Sequence, residues 1–260
     1  MGKKIAIQFF GEIRHYDIAL TYFKEYKRIA KHSKSSLDLH MVGWKNKYTE
    51  KLDYDIFDTT NLIESPNVGR MANKPKKQLT ENREGHSKGW FNPSYSMFWG
   101  AYYRKQYQIE NKINYDWVIV TRPDHVFNLG DFEKFMKYGH PLCEKYPIEQ
   151  PWRRTRPYLI YNCRGWSELN PWGSYNGQDD YWLGTQEAID LFCKNFHMSY
   201  LDDDGNFLVT YHNLFGHFSS KSRMYVRSDY TILDKARHKI NPTKNHYKNG
   251  IWSAIKIDNT

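Results

Sequence analysis

The sequence predicts an α/β domain in which a largely parallel sheet is covered by helices. Two observations carry this. Short apolar runs at residues 3–11 ("KKIAIQFFG") and 37–44 ("LDLHMVGW") flank an amphipathic stretch, giving a β-α-β order with short connections. A further apolar run, "YDWVIVTRPDHVF", then reads as a buried strand that ends on Thr121-Arg122-Pro123-Asp124.

Taken in order, residues 3–11 form a strand closed by Gly11. A helix over 16–31 follows, with Ile18, Tyr22, Tyr26 and Ile29 on one face. Residues 37–44 form the second strand, and "YDIFDTTNLI" carries a short third. Residues 65–90 are polar, basic and rich in Gly, Pro and Asn, which predicts a long loop. Asn92 is a candidate cap, and Pro93 suits the first turn of a helix running to about Lys112. On that helix Met97, Ala101, Arg104 and Gln108 draw one line, and Phe98, Tyr102 and Lys105 another. The strand over 115–121 comes next, then a short helix over 131–138. Residues 156–163 read as a strand, 165–177 as a Trp-, Pro- and Gly-rich loop, and 181–184 as a strand leading to a helix capped by Thr185. "NFLVTYHNLFGHF" looks helical and "RMYVRSDYTILD" extended. With no internal repeat and no clean boundary, residues 1–260 are read as one domain with a basic tail from about residue 235.

The chain has 260 residues, 40% of them hydrophobic and 17% aromatic, which are globular values. The net charge is +9, from 38 Lys and Arg against 29 acids, and favours an anionic partner: phosphate, nucleotide, nucleic acid or an acidic membrane face. Part of it is local. Lys74, Lys76, Lys77, Arg83 and Lys88 share the long loop, and Lys235, Arg237, His238, Lys239, Lys244, His246 and Lys248 share the tail. Cys143, Cys163 and Cys193 are isolated, with no CxxC, so neither a zinc knuckle nor a disulfide framework is indicated. A reducing compartment fits such usage. No run of 18 apolar residues occurs, and the N-terminal apolar stretch is too short for a signal peptide. A cytoplasmic protein is expected, with peripheral membrane contact through the tail left open.

Four constellations could carry chemistry. In an open α/β sheet, ligands bind outside the carboxyl ends of the strands. Asp124 lies there and is a candidate for a metal ligand or for holding a hydroxyl. Arg122 offers a fork suited to phosphate, and Pro123 holds it extended. The competing reading is an ordinary strand-end turn with an Arg–Asp ion pair. In "GSYNGQDDYWLG", Asp179 and Asp180 alternate in direction along extended chain, so one of them can enter a site as general base or sugar ligand. Gly11 and Arg14, just past the first strand, are candidates for a nucleotide contact. His212 and His217 are five apart, which is not the helical spacing of metal sites, and "LDDDG" (201–205) lacks the spacing of a calcium loop.

Four of these segments in order, "IAIQFFGEIRHY", "LDLHMVGW", "YDWVIVTRPDHVF" and "GQDDYWLGTQEAIDLF", resemble a group of small GT-A-type glycosyltransferases and glycosyltransferase-like proteins of large viruses and bacterial surface-polysaccharide clusters. The resemblance spans about residues 3–192. It implies a GT-A-like, Rossmann-type mixed sheet flanked by helices, a nucleotide-sugar donor, and a glycan or glycoprotein acceptor, with no nucleic acid. In the family an Asp-x-Asp motif at a strand end binds the donor diphosphate through a divalent cation, Mn2+ or Mg2+. The matching triplet here is Arg122-Pro123-Asp124, so the last acid is kept and an arginine replaces the first. That arginine can bring positive charge to the diphosphate directly. Carried over by position, Gly11 and Arg14 border the nucleotide, and Asp124 faces the metal or donor sugar. Asp179 or Asp180 serves as base or hydroxyl ligand, and His212 or His217 stands where a late metal ligand sometimes occurs. Trp152, Trp166, Trp172, Tyr175 and Trp182 would form a sugar platform. Two other classes remain: a basic aromatic nucleic-acid-binding module, and a non-catalytic GT-A-like carbohydrate-binding protein.

Overall fold

The computed structural model describes residues 2–11, 13, 16–64, 84–127, 129–138, 158–162, 181–198, 224–227 and 237–239. Among the described residues there are nine strands: β1 (Lys4–Gly11), β2 (Ser36–Trp44), β3 (Thr59–Ile63), β4 (Trp117–Thr121), β5 (His125–Phe127), β6 (Tyr158–Asn162), β7 (Tyr181–Gly184), β8 (Met224–Arg227) and β9 (Arg237–Lys239). The helices are α1 (Tyr16–His32), α2 (Glu84–Asn111), α3 (Leu129–Tyr138) and α4 (Gln186–Met198). Seven strands make one sheet in the order β3-β2-β1-β4-β7-β6-β8, and β5 and β9 make a second, smaller one. β1 is parallel to β2 and β4, β2 to β3, and β6 to β8, whereas β7 runs antiparallel to both β4 and β6. The fold is therefore mixed α/β, with a mostly parallel sheet flanked by helices.

β1 is covered on both faces, which is why it reads as a continuous apolar run rather than an alternating one. Ile5, Ile7 and Phe9 point to one side, where they join Phe23, Tyr26, Phe57, Phe127, Phe132 and Phe135 beneath α1 and α3. Ala6 and Phe10 point to the other side, with Met97 and Ala101 of α2, Val118 and Val120 of β4, and Ile189 and Phe192 of α4.

The second side also holds buried polar groups. Arg104, with no exposed surface, donates from Nε to Gln8 Oε1 (3.1 Å), from Nη1 to Gln108 Oε1 (2.9 Å) and from Nη2 to Asp190 Oδ1 (2.5 Å). Gln8 in turn donates to the Met97 carbonyl at 2.9 Å. Beside this lies a chain in which the Tyr115 hydroxyl donates to Asp38 Oδ2 at 2.7 Å. The same oxygen lies 3.0 Å from His40 Nε2, and His40 Nδ1 lies 2.9 Å from Thr59 Oγ1. Because Tyr115 has one proton and gives it to Asp38, its oxygen accepts from His40 Nε2–H, and Nδ1 accepts from Thr59.

One expectation needs correcting. α2 begins at Glu84, inside the segment expected to be a loop to residue 90, and Pro93 lies within the helix instead of opening it after an Asn92 cap. Ser94, Ser96 and Met97 are buried, which fixes the helix from there on; continuing it upstream adds backbone hydrogen bonds at little further cost in nucleation, which offsets the bond lost at the proline. Thr185 does cap α4, its Oγ1 accepting from the Ala188 N–H at 3.4 Å. The expected helix over "NFLVTYHNLFGHF" and the loop over 165–177 lie outside the described residues.

Candidate functional site

The strand order reverses between β1 and β4. The chain leaves β1 through α1 toward β2 and β3, then returns through α2 to lay β4 on the other side of β1. α1 and α2 cover opposite faces of the sheet, and β1 and β4 end side by side at the reversal, the kind of place where open α/β sheets bind ligands.

Gly11 ends β1 at φ +90°, a conformation that side-chain-bearing residues rarely adopt. A Cβ there would meet nothing within 4 Å, so backbone conformation and not crowding calls for glycine. Gly43, its register partner on β2, is different: a Cβ would lie 2.6 Å from Ile13 Cδ1. Ile13 therefore packs over Gly43, near the end of β2. Arg14 lies outside the described residues.

β4 ends at Thr121, opposite Phe9 of β1. The next residues form a tight turn, closed by the His125 N–H donating to the Arg122 carbonyl at 3.1 Å. Within it Arg122 and Asp124 form a bidentate pair, Nε to Oδ1 at 2.9 Å and Nη2 to Oδ2 at 2.6 Å. The side chain of Arg122 is 20% exposed and that of Asp124 only 2%, so the guanidinium lies toward solvent and the carboxylate behind it. The turn and ion pair weighed in the sequence reading are both present, and they sit at the strand-order reversal.

β5 continues directly from this turn and is wholly buried. The Phe127 N–H donates to the Tyr26 hydroxyl at 2.6 Å, and the Phe127 ring stacks on Phe132 with centroids 6.1 Å apart. β5 also pairs with β9, which sets His125 opposite Lys239, Val126 opposite His238 and Phe127 opposite Arg237. Residues 237–239 of the basic tail therefore run alongside the strand that leaves the turn.

A third segment reaches the same edge. β7 starts at Tyr181, in register with Thr121. Asp179 and Asp180 immediately precede it in sequence and lie outside the described residues, as do His212, His217, the lysines at 74, 76 and 77, Arg83, and the rings Trp152, Trp166, Trp172 and Tyr175. Trp182 cannot belong to a sugar platform. It has no exposed surface, and its ring packs against Phe192 (5.3 Å) and Phe10 (6.0 Å), because alternation along β7 turns it into the core beneath α4.

Sequence reasoning singled out neither Ile13 nor Tyr26 as a support of this edge. Tyr26 carried only the signal of a helix-face apolar residue, and its hydroxyl bond to β5 depends on how α1 crosses the sheet. Among the described residues, no group of three His, Cys, Asp or Glu side chains is placed to hold a metal, and no helix is long and apolar enough to cross a membrane.

No family model and no curated protein matches this chain. Among solved structures, it is similar to a glycosyltransferase involved in the glycosylation of the major capsid of PBCV-1. The alignment covers 93% of this chain and 96% of that one, at 11% identity and a TM-score of 0.43.

Proposed function

We propose that the chain is a glycosyltransferase, moving a sugar from a nucleotide-sugar donor to a hydroxyl of a glycan or glycoprotein acceptor. The observation that carries this reading is the convergence at the strand-order reversal: Gly11 at the end of β1, the Arg122–Asp124 pair at the end of β4, and the entry to β7 opposite Thr121. In such a transfer the leaving group is a nucleoside diphosphate, whose growing negative charge is stabilised by donors fixed in advance. Arg122 is such a donor, held by Asp124 and by a closed turn, and Arg14 and the basic residues Lys74, Lys76, Lys77, Arg83 and Lys88 would add charge around it. The acceptor hydroxyl must lose a proton, and a carboxylate is the expected base. Asp180 is favoured over Asp179, because it adjoins Tyr181, the register partner of Thr121.

Thermal unfolding in the presence of UDP, GDP and their sugars tests the reading. A bound nucleotide at about 100 times its Kd stabilises the native state by about 2.7 kcal/mol. Asp180→Asn is expected to keep that stabilisation while losing sugar transfer. Absence of any shift with every nucleotide would sink the proposal.

A further inference from the structure

We infer that the basic strand β9 belongs to the donor site, and that Lys239 brings a cation to the nucleoside diphosphate bound there. The inference rests on the glycosyltransferase reading and deepens it, by giving the basic C-terminal segment a ligand. Register comes first. β9 is the tripeptide Arg237-His238-Lys239, and it pairs antiparallel with β5 so that Lys239 stands opposite His125. His125 follows Asp124 directly, and its N–H closes the turn at the end of β4. Partners across an antiparallel pair have Cα atoms about 4.5–5.5 Å apart. The backbone of Lys239 therefore lies one strand spacing from the residue that closes this turn. Arg237 stands opposite Phe127, two residues farther along, or about 7 Å at the rise of a strand.

Composition points the same way. Pairing with a wholly buried strand calls for no cation, yet every residue of β9 is basic. Charge on a short strand can also serve to block pairing with other chains. Position separates the two roles. Protection of an edge needs charge anywhere along the strand, whereas a diphosphate needs it beside the end of β4, where ligands bind in such sheets. The register sets Lys239, and not Arg237, at that end. A lysine suits the task as a compact point charge on a flexible stem. The offset of about 7 Å between the two cations is close to the screening length of about 8 Å at 0.15 M salt, so their effects on a bound anion are separable.

Calorimetric titration of UDP and of GDP into the full chain, with Mn2+ present and about 0.15 M salt, tests this. Lys239→Gln is expected to weaken the nucleotide that binds by about 10-fold, the loss of one charge-assisted contact. Arg237→Gln removes the same charge two residues away and is expected to weaken it by less than about threefold. Unchanged affinity in a folded Lys239→Gln variant, or an equal loss in Arg237→Gln, overturns the inference and leaves the glycosyltransferase reading standing. Failure of both nucleotides to bind the wild-type chain removes that reading and the inference together. Should Lys239→Gln fail to fold, hydrogen exchange in the wild-type chain decides. The nucleotide is then expected to slow exchange at residues 237–239 more than at β3, which lies at the far edge of the large sheet, and equal slowing overturns the inference.

Discussion

The two faces of the sheet are held by different physics. Under α1 and α3 the contact is made by rings: Phe9, Phe23, Tyr26, Phe57, Phe127, Phe132 and Phe135 form one aromatic layer. Its polar contacts include the buried bond from β5 to the Tyr26 hydroxyl and the part-buried Lys27–Asp58 pair at 2.5 Å. Under α2 and α4 the apolar cluster is smaller, and Gln8, Arg104, Gln108, His40 and Tyr115 run through it as buried, mutually bonded groups. Rings tolerate local rearrangement because area is non-directional. A buried guanidinium does not, because each bond it loses leaves another buried group without a partner. The first face should thus lose stability gradually with substitution, and the second abruptly.

The sharpest way to break this comparison is Arg104→Met. It leaves Gln8, Gln108 and Asp190 facing a thioether, and removal of one partner of a buried pair is expected to cost about 3–5 kcal/mol in denaturant unfolding. Adding Asp190→Leu should recover part of that loss; a double variant no better than the single one would mean that the Arg104–Asp190 pair is not what holds α4. Gly100→Ala comes next. A Cβ there would lie 2.6 Å from Gln8 Nε2 and 3.0 Å from Gln8 Cδ, so it displaces the amide that links Arg104 to Met97. Overpacking of about 1–3 kcal/mol should exceed the gain of about 1 kcal/mol in helix propensity. On the aromatic face, Tyr26→Phe keeps the ring and removes only the acceptor for the Phe127 N–H, for an expected loss of about 1–2 kcal/mol. It should also weaken nucleotide binding slightly, since β5 leaves the Arg122–Asp124 turn.

A last test concerns pH. Burial, and then the nearby Arg104 and Lys27 charges, hold His40 well below the usual histidine range. Its folded pKa lies below its unfolded value of about 6.5, so the unfolded chain binds more protons as pH falls from there. This contribution to stability is present above about pH 6.5 and is lost as pH falls, with a slope of up to about 1.4 kcal/mol per pH unit. Asp38, raised chiefly by burial, has the opposite sign and is common to both proteins if wild type is compared with His40→Gln. Melting curves from pH 7 to 5 should fall less steeply for His40→Gln; parallel curves would refute the assignment.

Much of this fold was legible because the strands are apolar and the helices periodic. β1, α1, β2 and β4 follow from runs such as "IAIQFF" and "WVIV", whose burial on both faces leaves a direct compositional trace. The start of α2 was not legible, because Pro93 and nearby glycines signal a break that tertiary packing overrides. The candidate site was read in part. Gly11, Arg122 and Asp124 stood out as strand-end residues of unusual type, but their nearness depends on β4 returning beside β1, and strand order leaves no local mark. Trp182 misled for the same kind of reason: composition reports that a ring is present, and only the register tells which way it faces.

The small sheet has a consequence for the order of folding. β1, β2 and β3 pair with neighbours not far off in sequence, but His125 must wait for Lys239, much further along the chain. Pairing at such separation is slow, because loop closure precedes any gain from contact. The strand leaving the Arg122–Asp124 turn is therefore among the last to acquire its partner.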